Sequence, residues 1–497
     1  MRYDEYRRFD AVGLAELVAR REVSAQELLD VAIERADAVN GRLNAIVRPL
    51  HDLARERAAG ELAGPFAGVP FLIKDLLQDY AGQPTGSGSR AARRHVPDRH
   101  SEAVRRWLDA GLVVFGKTNT PEFGLKSITE PTVDGPARNP WNSDHTPGGS
   151  SGGSGAAVAA GIVPVAGGND GGGSIRIPAA CCHLFGLKPG RGLVPAGPVH
   201  AEYDQGLATD GVLSRTVRDT AAMLDVLTAG HDPGGPYLAA RPETSYAELA
   251  QRPPGRLRIG FTTASPIGTP VSAEAVAAVE DMVALLTKLG HDVEPAEPGI
   301  DGQALALDFM TAWYAGTAAT VAELRRTTGA RDQDFETDTL LLAAVGRSLP
   351  ATKYHQAIHR RNEHARALAA FHQQYDLLLT PTLAEPPVRI GALETPAAVK
   401  AAGRAMMRLG LVGGLARTSL WQQVVLTNLS TVPFTQLANM TGRPAMSVPG
   451  YRTPQGLPLG VQFVAPLGGE ADLLSLATQL EADRPWSHEE PPLEVDA

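Results

Sequence analysis

The sequence feature that most constrains the fold is a glycine- and serine-rich segment, residues 147–179, with the sequence PGGSSGGSGAAVAAGIVPVAGGNDGGGSIRIPA. Eleven of the chain's 52 glycines fall in these 33 residues, which indicates a local requirement of the backbone. Two glycine-flanked serines, Ser150 and Ser174, are separated by a predicted helix (151–160) and a predicted strand (162–167). A helix and a strand of that length can fold back and bring the two serines together.

Short apolar runs alternate with predicted helices on both sides of this segment. The runs VPFLI (69–73) and LVVF (112–115) are typical of buried strands. Between them, residues 101–110 are predicted to form a helix that ends at Gly111. This alternation favours an α/β fold with a mostly parallel or mixed sheet covered by helices.

Other regions differ in texture. Residues 24–39 predict a helix that begins with a capping box and ends at Asn40–Gly41. Residues 300–425 are helix-rich with one embedded strand, 376–382, and are a candidate for a cap over a pocket. Residues 443–464 predict a strand, a turn and a second strand.

Composition excludes several classes of function. The 46 basic residues against 55 acidic ones give a formal charge of −9, which disfavours nucleic acid or an anionic membrane as a partner. The two cysteines, Cys181 and Cys182, are adjacent, so nothing predicts a disulfide scaffold or a cysteine zinc site. No apolar stretch predicts a signal peptide or a membrane span. We expect a cytoplasmic protein, a monomer or a homodimer.

The three glycines before Ser174 suit one kind of chemistry. Gly171, Gly172 and Gly173 leave successive backbone N–H groups free to converge on one point, as an oxyanion hole requires. The alternative is a glycine-rich turn with an incidental serine.

A serine nucleophile needs a nearby base, because its hydroxyl is weakly nucleophilic at its free pKa. Lys74 ends the apolar strand 69–73, which would carry its amine into an interior where the pKa falls. Taken alone, a lysine at a strand end points to water. Read together with the two serines, Lys74 is the candidate base.

The motifs now identify a family. GVPFLIKD, GKTNTPEFG, ARNPWN, PGGSSGGSGAAVAAG and GNDGGGSIRIPA, followed by GLKP, resemble in order and spacing the motifs of the amidase signature family. YDLLLTPT, GRPAMSVP and LPLGVQFV extend the resemblance over the rest of the chain. Asn169 stands where the family usually has threonine. This variant is most similar to the branch that includes the 6-aminohexanoate cyclic dimer hydrolase.

The resemblance implies one large α/β domain, a central mixed, twisted β-sheet covered on both faces by helices, with a helical cap region. We expect N-terminal helices at about 1–60 and a catalytic core at about 61–230. The substrate cap should span about 300–425, and the chain should return to the sheet at about 426–480.

The resemblance also implies the roles of individual residues. Ser174 is the nucleophile, and Ser150, which follows a cis peptide bond, passes the proton to Lys74. The implied oxyanion donors are the N–H groups of Gly171, Gly172, Gly173 and Ser174. The residues expected to brace this centre are Ser151, Asn169, Asp170 and Arg176, with Asp170 and Arg176 paired. Phe123 and Gly124 are expected to line the pocket.

The implied function is hydrolysis of a C–N amide bond through an acyl-enzyme, with no metal or cofactor. Linear or cyclic amide oligomers and aryl amides are the expected small-molecule substrates, and esters or carbamates (urethanes) are compatible with the same chemistry. Two alternatives stay open. One is the amidase subunit of a tRNA-dependent amidotransferase, and the other is a non-catalytic binding module on an amidase scaffold.

Three motifs point elsewhere but lack the required context. Residues 111–118 match the phosphate-loop pattern, yet a helix precedes them and the four residues inside the pattern, 112–115, are themselves a predicted strand. Residues 148–152 match the nucleophile elbow of α/β hydrolases without the strand that should deliver the serine. His355, His359 and His364 lack the HExxH spacing of a zinc site, and a solvated helix face is favoured.

Overall fold

Every residue of the strands 70–74, 113–118 and 165–170 is buried. Because successive side chains of a strand point to opposite faces of the sheet, complete burial requires a layer on each face. The computed structural model describes residues 1–416 and 418–493. Within them, one mixed sheet runs through the molecule and is flanked by helices, as the sequence predicts.

The described residues form eleven strands in a single sheet. In chain order they are β1 (Ile46–Pro49), β2 (Pro70–Lys74), β3 (Val113–Thr118), β4 (Val165–Asp170), β5 (Phe185–Lys188), β6 (Thr209–Ser214), β7 (Arg258–Phe261), β8 (Asp292–Pro295), β9 (Leu377–Pro381), β10 (Ala445–Arg452) and β11 (Pro458–Val464). Their spatial order is β1-β3-β2-β4-β6-β5-β10-β11-β9-β7-β8. The pairs β2–β3, β2–β4, β7–β8 and β7–β9 are parallel, and the other pairs are antiparallel.

The described residues also form eighteen α-helices. They are α1 (Tyr3–Tyr6), α2 (Ala11–Ala19), α3 (Ala25–Leu43), α4 (His51–Ala59), α5 (Glu102–Asp109), α6 (Gly152–Ala159), α7 (Arg176–Cys182), α8 (Val217–Thr228), α9 (Tyr246–Leu249), α10 (Ala273–Lys288), α11 (Gly302–Thr328), α12 (Thr337–Ser348), α13 (Ala351–Phe371), α14 (Ala397–Arg408), α15 (Val412–Leu415), α16 (Ser419–Asn428), α17 (Gln436–Thr441) and α18 (Glu470–Asp483). Short 3₁₀ turns lie at Glu122–Gly124, Asp204–Gly206 and Asp332–Asp334. No helix in these ranges is long and apolar enough to cross a membrane.

One predicted boundary is wrong. Helix α3 begins with the expected capping box, in which Ser24 and Glu27 bond each other's backbone, but it continues past Asn40–Gly41 to Leu43. The Asn40 side chain accepts hydrogen bonds from the backbone N–H groups of residues 45 and 46, so it stabilises the turn after the helix. Asn44, in the left-handed conformation at φ 48°, then ends α3.

The topology brings two chain segments to one edge of the sheet. β2 and β4 are parallel neighbours, so the residues after their carboxyl ends lie side by side. The loop after β4 leads into α7, while α6 packs beneath it. A Cβ atom on Gly153 of α6 would lie 2.3 Å from the backbone nitrogen of Asn119, so α6 needs a glycine there to approach the sheet.

The helix-rich region 300–425 is tied directly into the sheet. Its strand β9 lies between β11 and β7, which agrees with the strand predicted at 376–382. Helices α11 and α12 cross closely at Gly346. A Cβ atom at this position would lie 2.0 Å from the carbonyl oxygen of Tyr314, so a glycine is needed there. The outer helices, which we define as α14 to α16, follow β9 along the chain.

Candidate active site

Lys74 is the last residue of β2 and its side chain is fully buried. Its Nζ atom lies 2.6 Å from Ser150 Oγ and 2.7 Å from Asn169 Oδ1. The predicted proximity of the lysine and the first serine is therefore present. Asn169, expected only to brace the centre, contacts the lysine directly.

Burial lowers the pKa of Lys74 from 10.5 to about 7, and the negative charges of Asp170 and Asp210 oppose this shift. A substantial fraction of the amine is thus neutral near neutral pH, and only the neutral amine can accept a proton. Burial in the interior, as expected for a lysine at the end of an apolar strand, is the cause.

Ser150 follows a cis peptide bond from Gly149. A Cβ atom on Gly149 would lie 2.7 Å from the backbone of Ile128, so a glycine is needed at this position. On the other side of the hydroxyl, a Cβ atom on Gly124 would lie 3.1 Å from Ser150 Oγ. The turn that contains Gly124 therefore borders the first serine.

Ser174 follows the three glycines and is 8% exposed. Its carbonyl oxygen accepts a hydrogen bond of 3.3 Å from Ser151 N, and Ser151 Oγ donates to the carbonyl oxygen of Asn169 at 3.3 Å. Ser151 thus joins the start of α6 to both β4 and the glycine loop. In the described parts of the chain no hydrogen bond connects the hydroxyls of Ser174 and Ser150.

The predicted set of oxyanion donors needs one correction. The N–H of Gly173 donates to Asp170 Oδ1 at 2.7 Å, so the prediction that it is a free donor is wrong. The physical reason is that a buried carboxylate needs hydrogen-bond donors around it, and the loop supplies this one. The N–H groups of Gly171, Gly172 and Ser174 remain as candidates.

Asp170 and Arg176 form the predicted pair, with both side chains fully buried. Arg176 Nε and Nη2 each donate to the carboxylate at 2.9 Å. Burial alone would raise the pKa of Asp170, but the charge and hydrogen bonds of Arg176 outweigh it and hold this pKa well below its usual range. The pair fixes the loop that carries Ser174.

Three partners of this pair escaped the sequence analysis. Arg176 also donates to the carbonyl oxygen of Thr435 at 2.9 Å, to Gln462 Oε1 at 2.5 Å and to Asn439 Oδ1 at 2.7 Å. They come from the C-terminal part of the chain, more than 250 positions after Arg176 along the sequence. No local motif marks them, so only the fold reveals them.

Aromatic residues of α11 cover the glycine loop. A Cβ atom on Gly172 would lie 2.7 Å from Phe309 Cζ, and one on Gly171 would lie 3.3 Å from the Trp313 ring. The two rings stack with centroids 5.1 Å apart. Phe123, at φ 51°, packs in a different apolar cluster and has its ring 6.2 Å from that of Phe335.

The rival motifs do not form sites. In the phosphate-loop pattern, Lys117 lies inside β3 and its buried amine donates to Thr85 Oγ1 at 2.7 Å. His355 and His359 stack along α13. Across residues 1–416 and 418–493, no group of three potential ligands from His, Cys, Asp or Glu could hold a metal ion.

Comparison with known proteins decides the family, because the model of the family described as "Amidase" matches residues 27–474. The chain belongs to the amidase family. This amidase is 37% identical over 494 residues to the 6-aminohexanoate-cyclic-dimer hydrolase of Pseudomonas sp. (strain NK87), covering 97% of this chain and 96% of the relative.

Solved structures agree. The structure of a 6-aminohexanoate cyclic dimer hydrolase complexed with substrate matches the amidase with a TM-score of 0.89 and 35% identity, covering 97% of this chain and 98% of that chain. A bacterial aryl acylamidase of the amidase signature enzymes matches with a TM-score of 0.83 and 29% identity, covering 96% and 97%.

These similarities confirm the predicted fold, a single large α/β domain with a mixed sheet, and the predicted class of enzyme. The amidase is a hydrolase that acts on carbon–nitrogen bonds other than peptide bonds. The two alternatives, an amidotransferase subunit and a non-catalytic module, are not favoured, because the similar proteins named above are hydrolases in their own right.

Proposed function

We propose that this amidase hydrolyses small amides by acyl transfer, with Ser174 as the nucleophile, Ser150 as the proton relay and Lys74 as the base. The observation that carries the proposal is the buried Lys74 amine, 2.6 Å from Ser150 Oγ, with a pKa lowered by burial to about 7. A base of this strength works near neutral pH.

The reaction proceeds in two steps. Ser174 Oγ attacks the carbonyl carbon while its proton passes through Ser150 to Lys74, and the oxyanion receives hydrogen bonds from the free backbone N–H groups of the glycine loop. The C–N bond then breaks, and the amine leaves with the proton returned through Ser150. Water then attacks the resulting ester while its proton passes through Ser150 to Lys74. As the ester C–O bond breaks and the acid leaves, that proton returns through Ser150 to Ser174 Oγ, which regenerates the enzyme.

The remaining polar residues hold this geometry. Asp170 and Arg176 fasten the loop that carries the nucleophile, and Ser151 links that loop to α6. Asn169 accepts one N–H of the Lys74 amine and so holds the nitrogen beside Ser150. No metal or cofactor takes part in these steps.

The substrate is proposed to be a small linear or cyclic amide or an aryl amide. The named relatives include a cyclic-dimer hydrolase and an aryl acylamidase, and the stacked rings of Phe309 and Trp313 offer an apolar wall over Gly171 and Gly172. Carbamates and esters fit the same acyl-transfer chemistry.

The division of the chain follows from this arrangement. We propose N-terminal helices at about 1–60, a catalytic core at about 61–230, a substrate cap at about 300–425 and a return to the sheet at about 426–480. A cytoplasmic location is also part of the proposal, supported by two buried cysteines that form no disulfide.

Ser174→Ala and Lys74→Ala test the chemical roles. Each should lower kcat about 10⁴-fold or more, while circular dichroism shows a native fold. Ser143→Ala, outside the centre, is the matched control and should keep full activity. A fluorophosphonate should label the wild type and the control, but not Ser174→Ala. Turnover retained by Ser174→Ala under single-turnover conditions would refute the assignment.

Trp313→Ala tests the cap. We expect KM to rise about tenfold for an anilide or a cyclic amide, because apolar contact is lost, and to change little for acetamide. A KM that stays constant for all three substrates would show that α11 does not contribute to the pocket.

A further inference from the structure

Asp210 is a buried carboxylate that the mechanism above does not use. It lies on β6, directly opposite Asn169 in the antiparallel pair with β4, and its side chain is 1% exposed. Its Oδ1 atom accepts a hydrogen bond of 3.1 Å from Gln78 Nε2. Its buried Oδ2 atom has no hydrogen-bond partner in the part of the chain that the structure describes.

Gln78 connects this carboxylate to the strand that carries the base. Its Oε1 atom accepts a hydrogen bond of 2.7 Å from the backbone N–H of Lys74, and its Nε2 atom also donates to the carbonyl oxygen of Gly168 at 2.9 Å. Asp210 is therefore held behind the lysine, with Gln78 and Asn169 in between.

The Lys74 amine has two hydrogen-bond partners, and both are uncharged. Its Nζ atom lies 2.6 Å from Ser150 Oγ and 2.7 Å from Asn169 Oδ1, and neither oxygen carries a charge. When it takes the proton relayed by Ser150, an ammonium forms in the interior, where an unpaired charge is strongly disfavoured. Within the described residues, no carboxylate lies within 4.0 Å of Lys74 to pair with it.

Two carboxylates act on this ammonium from a distance, Asp170 and Asp210. The charge of Asp170 is already balanced by Arg176, which binds it with two hydrogen bonds. Asp210 has no cation in contact among the described residues, and the hydrogen-bonding groups that act on it are the neutral amides of Gln78 and Asn169. The uncompensated negative charge near the base is thus that of Asp210.

We infer that Asp210 is a positioning residue whose negative charge stabilises the Lys74 ammonium formed during acyl transfer. The inference rests on the proposed function, because it requires Lys74 to be the base. It deepens that function by naming the group that sets the strength of the base.

The charge state of Asp210 suits this role. Burial raises its pKa to about 6. The Gln78 and Asn169 side chains and the charge of Lys74 oppose the rise, and the charge of Asp79 adds to it. The buried phenol of Tyr203 is the other titratable group that interacts with it, and burial raises that pKa well above the usual value. Asp210 is ionised above about pH 6, in the range where Lys74 loses its proton.

Asp210→Asn is the direct test, because asparagine can keep the hydrogen bond from Gln78 and removes only the charge. We expect the acid limb of the kcat/KM profile to move to lower pH by about one unit, since the ammonium loses a stabilising charge. The plateau of kcat should fall about tenfold, because the amine becomes a weaker base. A purely structural role would lower the melting temperature without moving the acid limb.

Asp219→Asn is the matched control. Asp219 is also fully buried, on α8, but its carboxylate accepts hydrogen bonds from the backbone N–H groups of Ala11 and Val12, away from Lys74. This variant should lose stability and keep the wild-type acid limb.

A second variant decides the question if Asp210→Asn fails to fold. Gln78→Met removes the donor to Asp210 and favours its protonation, so the acid limb should again move to lower pH. An unchanged acid limb in a folded Asp210→Asn or Gln78→Met protein would overturn the inference, while inactivity of Lys74→Ala would leave the proposed function intact. Turnover retained by Lys74→Ala would instead refute the proposed function itself.

Discussion

The glycine-rich segment 147–179 and the outer helices, residues 397–416 and 418–428, differ in how fully their side chains are buried. In the first, every residue is buried except the partly exposed Gly172. In the second, large apolar side chains face solvent, among them Leu409, which is 71% exposed, and Leu420, which is 60% exposed. Where the proposed chemistry occurs, surrounding atoms fix the backbone on all sides. The outer helices are packed on one side and exposed to solvent on the other.

The difference extends to charged pairs. Arg176 and Asp170 are fully buried. Arg325 and Asp332, in the helix-rich region 300–425, form an ion pair whose own side chains are 39% and 80% exposed. Removing one partner of a buried pair leaves an uncompensated charge in the interior, while an exposed partner is simply rehydrated.

The largest expected effect is therefore that of Arg176→Ala. It should lower the free energy of unfolding by about 3–5 kcal/mol, because Asp170 is left as a buried unpaired charge. Arg325→Ala, the matched variant in the helix-rich region 300–425, should lower the free energy of unfolding by no more than about 1 kcal/mol. Urea unfolding of the two variants measures both values, and equal losses would break the comparison.

A matched pair of helix glycines gives the next effect. Gly153→Ala should destabilise the protein by about 1–3 kcal/mol, because its Cβ would meet the backbone of Asn119 at 2.3 Å. Gly414→Ala in α15 has nothing within 4 Å of the added Cβ and should stabilise by up to about 1 kcal/mol. Thermal unfolding followed by circular dichroism compares them, and a harmless Gly153→Ala would contradict the tight packing of α6.

The pH dependence sharpens the comparison at the base itself. Because burial lowers the pKa of Lys74 to about 7, the neutral amine is lost as the pH falls below that value. The logarithm of kcat/KM should then decrease by about one unit per pH unit. A profile from pH 5 to 9 on a neutral anilide measures it, and a flat profile down to pH 5 would contradict a buried lysine base.

The smallest change in the free energy of unfolding is expected at the exposed surface of the outer helices. Leu409→Gln should change the free energy of unfolding by less than about 0.5 kcal/mol. The side chain is 71% exposed in the folded protein, so it is in contact with water in both the folded and the unfolded state. Urea unfolding beside the wild type is the measurement. A loss above about 1 kcal/mol would mean that this face is covered by another surface in solution.

Much of the fold was predictable because its signals are local. Strands β2, β3 and β9 lie within two or three residues of the apolar runs that predict them, and the capping box places the start of α3. The end of α3 was not predictable, because Asn40 makes its hydrogen bonds to residues beyond the helix. A helix stop signal describes only the residue type, not the contacts that the residue makes.

The sequence by itself determined the fold class, the family and the three candidate catalytic positions. It could do so because glycine is needed where two backbone segments approach each other closely. A buried strand also appears in the sequence as a continuous apolar run, here with Lys74 at its end. These requirements act on neighbouring residues and so appear in the order of the letters.

Only the tertiary structure decided which polar groups meet in the interior. It brought Asn439 and Gln462 to Arg176, used the N–H of Gly173 to satisfy Asp170, and set Asp210 behind Lys74. The physical reason is that a buried polar group takes whichever partner the fold brings within about 3 Å. That distance depends on contacts between strands and helices far apart in the chain.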